Sequence, residues 1–379
     1  MVARRLLPAL LALLAFAAAG ELAARRWLVA PFSTTLDRRF GFVQRPGARV
    51  VQSREGWGAY TANADGFLGH AFTAAPPGSR ALLMGDSFTQ GLQVREGERY
   101  SEVAERLVPG LSVLNVAVAG HSPIHYALYM PRFQAAFHPA LAIVQIDDGD
   151  LNEMEDARAN AETMDEFYAR GSAAAAERAT SGPVGFVRGI FRRSALLTEL
   201  RSRVQQLTKQ ERARLGQKLG LLHPDLTDVV ALPATPRAEA MLDSLIGEVE
   251  RVNPHTILVY VPHIRYFGPV PHVAYPVRRA WYHALAARRG LPIVDPTDAM
   301  LAEFARTHEP LQGFLNARPG EGHMNARGHR LLGELLAETI RRQTAPDGPW
   351  SEVRIAPVAS TRGAATGAAR TAIAPGARP

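Results

Sequence analysis

The sequence predicts an α/β domain built on a parallel sheet of about five strands, and three observations predict it. Five short apolar runs occur between residues 81 and 295. Helical stretches such as Tyr100 to Leu107 and Val277 to Arg289 separate them. Glycine, proline or a carboxylate stops each run abruptly. Strand alternating with helix in this way gives a sheet covered on both faces.

The runs are Ala81-Leu82-Leu83-Met84, Ser112 to Ala117, Leu141 to Ile146, Thr256 to Val261 and Pro292 to Asp295. They are nearly continuous in hydrophobicity, as expected of strands with helices above and below. The expected architecture is a doubly wound, flavodoxin-like, three-layer α/β/α sandwich. Such sheets bind ligands beyond the carboxyl ends of their strands. The unusual residues sit at those ends: Gly85-Asp86-Ser87, Asn115 to Gly120, and Asp147 to Asp150. One stretch breaks the rhythm, because about a hundred residues, 151–253, separate the third and fourth strands. That is far more than one crossover needs. It contains the basic Phe186 to Arg193 segment and a helical pattern from Leu196 to Leu207. It reads as a helical insertion, either a lid or padding on the sheet.

Both ends differ from this pattern. Arg4-Arg5 precede an apolar run from Leu6 to Gly20, and Arg25-Arg26 follow it. A positive segment, an apolar core and small residues fit a signal peptide or an uncleaved signal anchor within residues 1–30, with the rest outside the cytoplasm. Residues 31–75 read as an N-terminal extension and 76–343 as the α/β domain. From about Ala345 the chain turns to Ala, Arg, Pro, Thr and Gly, so 344–379 is expected to be a disordered tail.

The net charge of +7 comes from cations that are almost all Arg, with only Lys209 and Lys218 as lysines. No aromatic residues interleave with a basic stripe, so no nucleic-acid partner is expected. The absence of cysteine excludes disulfides and thiolate-ligated metal. No glycine-rich nucleotide motif occurs, so no nucleotide cofactor is expected. The acidic cluster of Asp147, Asp148, Asp150, Glu153 and Glu155 reads as a solvated loop rather than a cation site. His121 and His125 read as pocket-lining residues rather than metal ligands.

Ser87 follows a strand and opens a helix, where backbone N–H groups and the helix dipole can stabilise an oxyanion. Asp and Ser there are equally ordinary capping residues. A nucleophilic serine needs a base, and the base needs an orienting acid. The candidates lie in Pro319-Gly320-Glu321-Gly322-His323-Met324-Asn325: His323 as base, Glu321 as its acid, and His329 on the following helix as a structural residue.

Taken in order, Gly85-Asp86-Ser87, Asn115 to Gly120, Asp148-Gly149-Asp150 and His323-Met324-Asn325 resemble the four blocks of the SGNH (GDSL) hydrolases. The resemblance covers roughly residues 76 to 343. It extends upstream to Asn63-Ala64-Asp65-Gly66-Phe67, similar to a segment that precedes the nucleophile in N-terminally anchored bacterial members. It implies a serine ester hydrolase: Ser87 attacks, His323 is the general base, and a preceding acid orients it. It also implies an oxyanion hole made by the Ser87 and Gly120 N–H groups and a third-block asparagine. Here Gly149 stands where that asparagine belongs, and losing one such donor can cost roughly 3 kcal/mol. Gly320 stands three residues before His323, so Glu321 must act instead. An acyl ester, such as an O-acetylated envelope polysaccharide, is the expected substrate. The alternative is a weak or inactive protein of this fold that binds glycan or partners.

Overall fold

The structure is a computed structural model that describes residues 2–28, 34–37, 40–72, 76–156, 194–201, 203–204, 234–267, 270–353 and 355. Helix α1 (Val2–Trp27) comes first, followed by two antiparallel hairpins. Strands β1 (Thr34–Asp37) and β2 (Gly41–Gln44) form one, and β3 (Arg49–Gln52) and β4 (Gly58–Thr61) the other. The central sheet then begins with β5 (Arg80–Met84), and α2 (Ser87–Gln90) and α3 (Tyr100–Leu107) follow it. Next come β6 (Ser112–Asn115), α4 (Pro123–Phe137), β7 (Leu141–Asp147) and α5 (Asp150–Asp156). The last part of the long 151–253 stretch forms α6 (Pro236–Val252), and β8 (Thr256–Val261) and a small hairpin of β9 (Ile264–Arg265) and β10 (His272–Val273) follow. Helix α7 (Pro276–Arg289), β11 (Ile293–Val294), α8 (Thr297–Thr307) and α9 (Ala326–Gln343) complete the order.

The five-stranded sheet is wholly parallel, in the order β11-β8-β7-β5-β6. All five strands fall on the predicted runs. Because side chains alternate along a strand, β5 feeds both faces: Leu82 and Met84 enter one core, Ala81 and Leu83 the other. The first core is closed by α4, α6 and α7 through Met130, Phe133, Leu242, Ile246 and Leu285. The second is closed by α3, α8 and α9 through Ala104, Met300, Leu332 and Leu336. Burying each leucine contributes about 1.5–3 kcal/mol before entropy is counted. The chain leaves β5 for β6 on one side and returns to β7 on the other. The end of β5 is therefore a topological switch point, the position from which such sheets present a site.

Asn63-x-x-Gly66-Phe67 forms a tight turn: the Asn63 side-chain oxygen accepts from the Asp65 and Phe67 N–H groups, each at 3.0 Å. Phe67 then stacks on Phe72 at 5.5 Å within the first core. The chain end departs from expectation. Residues 344–353 were assigned to a disordered tail, yet Val353 is buried and Trp350 and Ile355 pack on the second core. The Trp350 N–H donates to the Gln343 carbonyl at the end of α9 at 2.8 Å, and its ring lies 5.4 Å from that of His255. The remainder of the tail and the Phe186 to Arg193 segment lie outside the described residues, so the lid reading does too. Among the described residues no helix is long and apolar enough to cross a membrane.

Candidate active site

Ser87 sits where β5 gives way to α2. Gly85 makes this junction possible, because a Cβ there would lie 2.3 Å from Thr89 Oγ1 and 2.8 Å from Gln145 Oε1. Asp86 caps α2, its carboxylate accepting from the Phe88 N–H at 2.8 Å. Asp86 N–H donates in turn to Gln145 Oε1 on β7 at 2.9 Å. The capping role read for this tripeptide therefore belongs to Asp86, which leaves the Ser87 hydroxyl for another partner.

That partner is His323, whose Nε2 lies 2.8 Å from Ser87 Oγ. The loop carrying His323 is pinned by Gly313 N–H donating to the His323 carbonyl at 2.8 Å and by a bridge between Gln312 and Met324. Asn325 caps α9 immediately afterwards, accepting from the Arg327 and Gly328 N–H groups.

Glu321, the acid expected from the sequence, does not reach the ring of His323. Glu321 is exposed and pairs with Arg318 at 3.3 Å. The Nδ1 edge of His323 is instead held by Glu55, with Oε2 at 2.6 Å, while Glu55 Oε1 accepts the His323 backbone N–H at 2.8 Å. Glu55 comes from the turn between β3 and β4, inside the segment read as an extension. The physical reason is room: Gly322 has φ of +90°, and a Cβ on it would lie 2.5 Å from Glu55 Oε1. Glycine beside the histidine thus opens the gap that a carboxylate from another hairpin fills. No local signal marks Glu55, since a glutamate in a Gly-rich turn ordinarily faces solvent.

The pairing also sets the tautomer. A carboxylate only accepts, so Nδ1 carries the proton and Nε2 of the neutral ring is left to accept the Ser87 hydroxyl proton. Burial raises the Glu55 pKa, but the hydrogen bonds and charge of His323 outweigh it and hold the carboxyl below its ordinary value.

Among the expected oxyanion donors, the Ser87 and Gly120 N–H groups have no partner among the described residues. Gly149 does not join them. Its N–H is given to Asp147 Oδ1 at 2.5 Å, and Gln145 Nε2 holds the other oxygen of that carboxylate at 3.1 Å. A Cβ on Gly149 would lie 2.8 Å from Asp147 Oδ1, so this loop is shaped around the Asp147 carboxylate. Asn152, the other amide near this strand end, accepts from the Arg278 guanidinium at 2.8 Å.

Three further histidines lie near these elements. His121 and His125 stack at 4.4 Å, and burial together with the neighbouring ring pushes the His121 pKa down to about 3. His125 Nδ1 accepts the Ser122 N–H at 3.0 Å, as part of the N-terminal cap of α4. His329 lies on α9, stacked on Tyr100 at 5.9 Å, and burial with the Arg99 charge lowers its pKa to about 3. Among the described residues no group of three or more His, Cys, Asp and Glu could hold a metal ion.

Searches of family models and of curated proteins found no match. Solved structures are similar in fold. One is described as a lipolytic G-D-S-L family member from Veillonella parvula, 12% identical, covering 69% of this chain and 98% of its own, with a TM-score of 0.37. An acetylxylan esterase from Geobacillus stearothermophilus, solved as a catalytic mutant, is 15% identical over 69% of this chain and 94% of its own, with a TM-score of 0.37. A phospholipase A1 from Streptomyces albidoflavus is 11% identical over 69% of this chain and 98% of its own, with a TM-score of 0.36. Likenesses at this level carry nothing beyond the fold. The resemblance to SGNH hydrolases stands on the chain's own strand order and strand-end blocks, with its carboxylate supplied from the hairpin that precedes the sheet.

Proposed function

We propose that the protein is an acyl-ester hydrolase in which Ser87 is the nucleophile, His323 the general base and Glu55 the acid that orients it. The observation that carries this reading is the unbroken path Ser87 Oγ to His323 Nε2 at 2.8 Å and His323 Nδ1 to Glu55 Oε2 at 2.6 Å. His323 takes the hydroxyl proton as Ser87 Oγ attacks the acyl carbonyl. The N–H groups of Ser87 and Gly120 receive the developing oxyanion. His323 then returns the proton to the leaving alcohol, and Glu55 stabilises the imidazolium in between. Water activated by the same imidazole cleaves the acyl-enzyme. A sugar hydroxyl entering instead of water would make the step an acyl transfer.

The proposed substrate is an acylated component of the cell envelope, such as an O-acetylated polysaccharide. Helix α1 is proposed to hold the domain at that membrane, with the domain outside the cytoplasm. Its support is that Leu10, Leu11, Leu13, Leu14 and Phe16 are each more than half exposed, on all sides of the helix. Alkaline extraction of membranes tests it: release of the full-length chain sinks the attachment.

A fluorophosphonate probe tests the chemistry. It is expected to label the wild type and not Ser87→Ala, and equal labelling of the two would end the reading. A second reading, a catalytically weak protein of the same fold that binds glycan or partners, is favoured by the engagement of the Gly149 N–H by Asp147. Under it, no short-chain acyl ester is turned over and Ser87→Ala leaves any cellular phenotype unchanged.

A further inference from the structure

The last carbonyls of an α-helix have no donor within the helix and must find one elsewhere. At the end of α1, three consecutive carbonyls find theirs on a single hairpin. The Arg26 carbonyl accepts from the Arg49 guanidinium at 2.9 Å, the Trp27 carbonyl from Trp57 Nε1 at 3.0 Å, and the Leu28 carbonyl from Ser53 Oγ at 2.8 Å. Ser53 and Trp57 flank the turn that carries Glu55. The opposite side of that turn is gripped by Asn316, which comes from the same loop as His323. Asn316 Oδ1 accepts the Gly56 N–H at 2.9 Å, and its Nδ2 donates to the carbonyls of Ser53 at 3.0 Å and Gly56 at 2.9 Å.

We infer that the N-terminal helix is a positioning element of the catalytic machinery: through Ser53 and Trp57 its C-terminal end sets the turn that presents Glu55 to His323. The inference rests on the proposed acid role of Glu55. Its consequence is that loss of the chain through Leu28 would leave Ser53 and Trp57 without the carbonyls they hold. Small displacements of an orienting acid are costly, because the base must meet the serine within hydrogen-bond reach.

Other charges sit nearby without bonding to His323. Arg54 faces Glu199 at 4.0 Å, and Arg318 faces Glu321 at 3.3 Å on the His323 loop. Behind the site His329 is buried in α9. Among the described residues Glu55 is the carboxylate bonded to the ring of His323.

The test uses the full-length chain in detergent. Ser53→Ala and Trp57→Phe are each expected to lower kcat on a short-chain ester by roughly fivefold, the worth of one neutral hydrogen bond. The pair together is expected to lose on the order of tenfold or more, with KM within about twofold. The acid limb of the kcat/KM profile should move to lower pH, because an imidazolium with a looser carboxylate is less stabilised. Ser53→Thr, which keeps the hydroxyl, should restore both. Leu13→Ala, in the exposed apolar run of α1, should change neither. A double variant with kcat and acid limb unchanged, or with only a lowered melting midpoint, overturns the inference if Glu55→Gln is strongly impaired in the same assay. A neutral Glu55→Gln instead overturns the acid assignment.

Discussion

Two histidine–carboxylate pairs lie on either side of the Phe88 ring. His323 packs on it at 4.7 Å and His263 stands edge-on to it at 5.6 Å. The first pair joins His323 to Glu55, the second His263 Nδ1 to Asp148 Oδ2 at 3.3 Å. Both carboxylates face an imidazole, yet they are driven in opposite directions. Glu55 is partly solvated and receives two hydrogen bonds from His323, so it is held as an anion below its ordinary pKa. Asp148 is buried almost completely among His263, Tyr260 and the neighbouring Asp147, and burial raises its pKa despite the Tyr260 hydroxyl at 2.9 Å. The lesson is that a His–carboxylate contact does not by itself make a catalytic pair. The far edge of the ring must also meet a nucleophile. His323 meets Ser87, whereas Nε2 of His263 has no partner among the described residues.

The widest separation of the two pairs is expected from removing the reacting groups. Ser87→Ala and His323→Ala should each lower kcat for an acyl ester on the order of 10⁴-fold or more, measured with protein whose circular dichroism is unchanged. Glu55→Gln keeps the shape of the acid but not its charge, and should cost on the order of 10²–10⁴-fold. Activity within twofold of wild type would break the comparison at its first term.

A smaller effect concerns stability, and here the order of the pairs reverses. Asp148→Ala leaves the Tyr260 hydroxyl without its partner in a buried site and should cost about 1–3 kcal/mol in urea unfolding. Its kcat should stay within about tenfold of wild type. A thousandfold loss of rate without loss of stability would instead place Asp148 in the chemistry.

The pH dependence of stability sharpens the contrast. The folded pKa of Glu55 is depressed, so its contribution is present above the unfolded carboxyl value near 4.3 and fades as pH falls through the lower folded value. Glu55→Gln should therefore flatten the acid side of the stability curve and leave its shape above about pH 5 unaltered. The smallest effect is reserved for Glu321. Its ion pair with Arg318 is exposed, so Glu321→Gln should shift stability by less than about 0.5 kcal/mol and leave the rate within twofold.

Much of the architecture was legible in the chain. Continuous apolar runs such as Leu141 to Ile146 can be covered only from both sides, and that requirement specifies the sheet, its parallel sense and its two helical layers. The positions of Ser87 and His323 were legible too, because both lie at strand or loop ends flanked by glycine. The resemblance located Gly120 and Gly149 as backbone positions, but which N–H groups remain unpaired depends on neighbouring side chains such as that of Asp147.

What the tertiary structure decided is which carboxylate meets His323 and where the end of α1 docks. Glu55 is separated from His323 by more than two hundred residues, and hydrogen-bond partners at that distance leave no periodicity or spacing in the sequence. Glu321 was the nearer candidate along the chain, but the Gly320-to-Gly322 turn aims it at Arg318. Short-range pattern thus determines where strands and exposed loops fall, because burial and backbone conformation act locally. Which carboxylate reaches an imidazole is decided by how separate hairpins pack, and here the hairpin of β3 and β4, clasped to both α1 and the His323 loop, makes that choice.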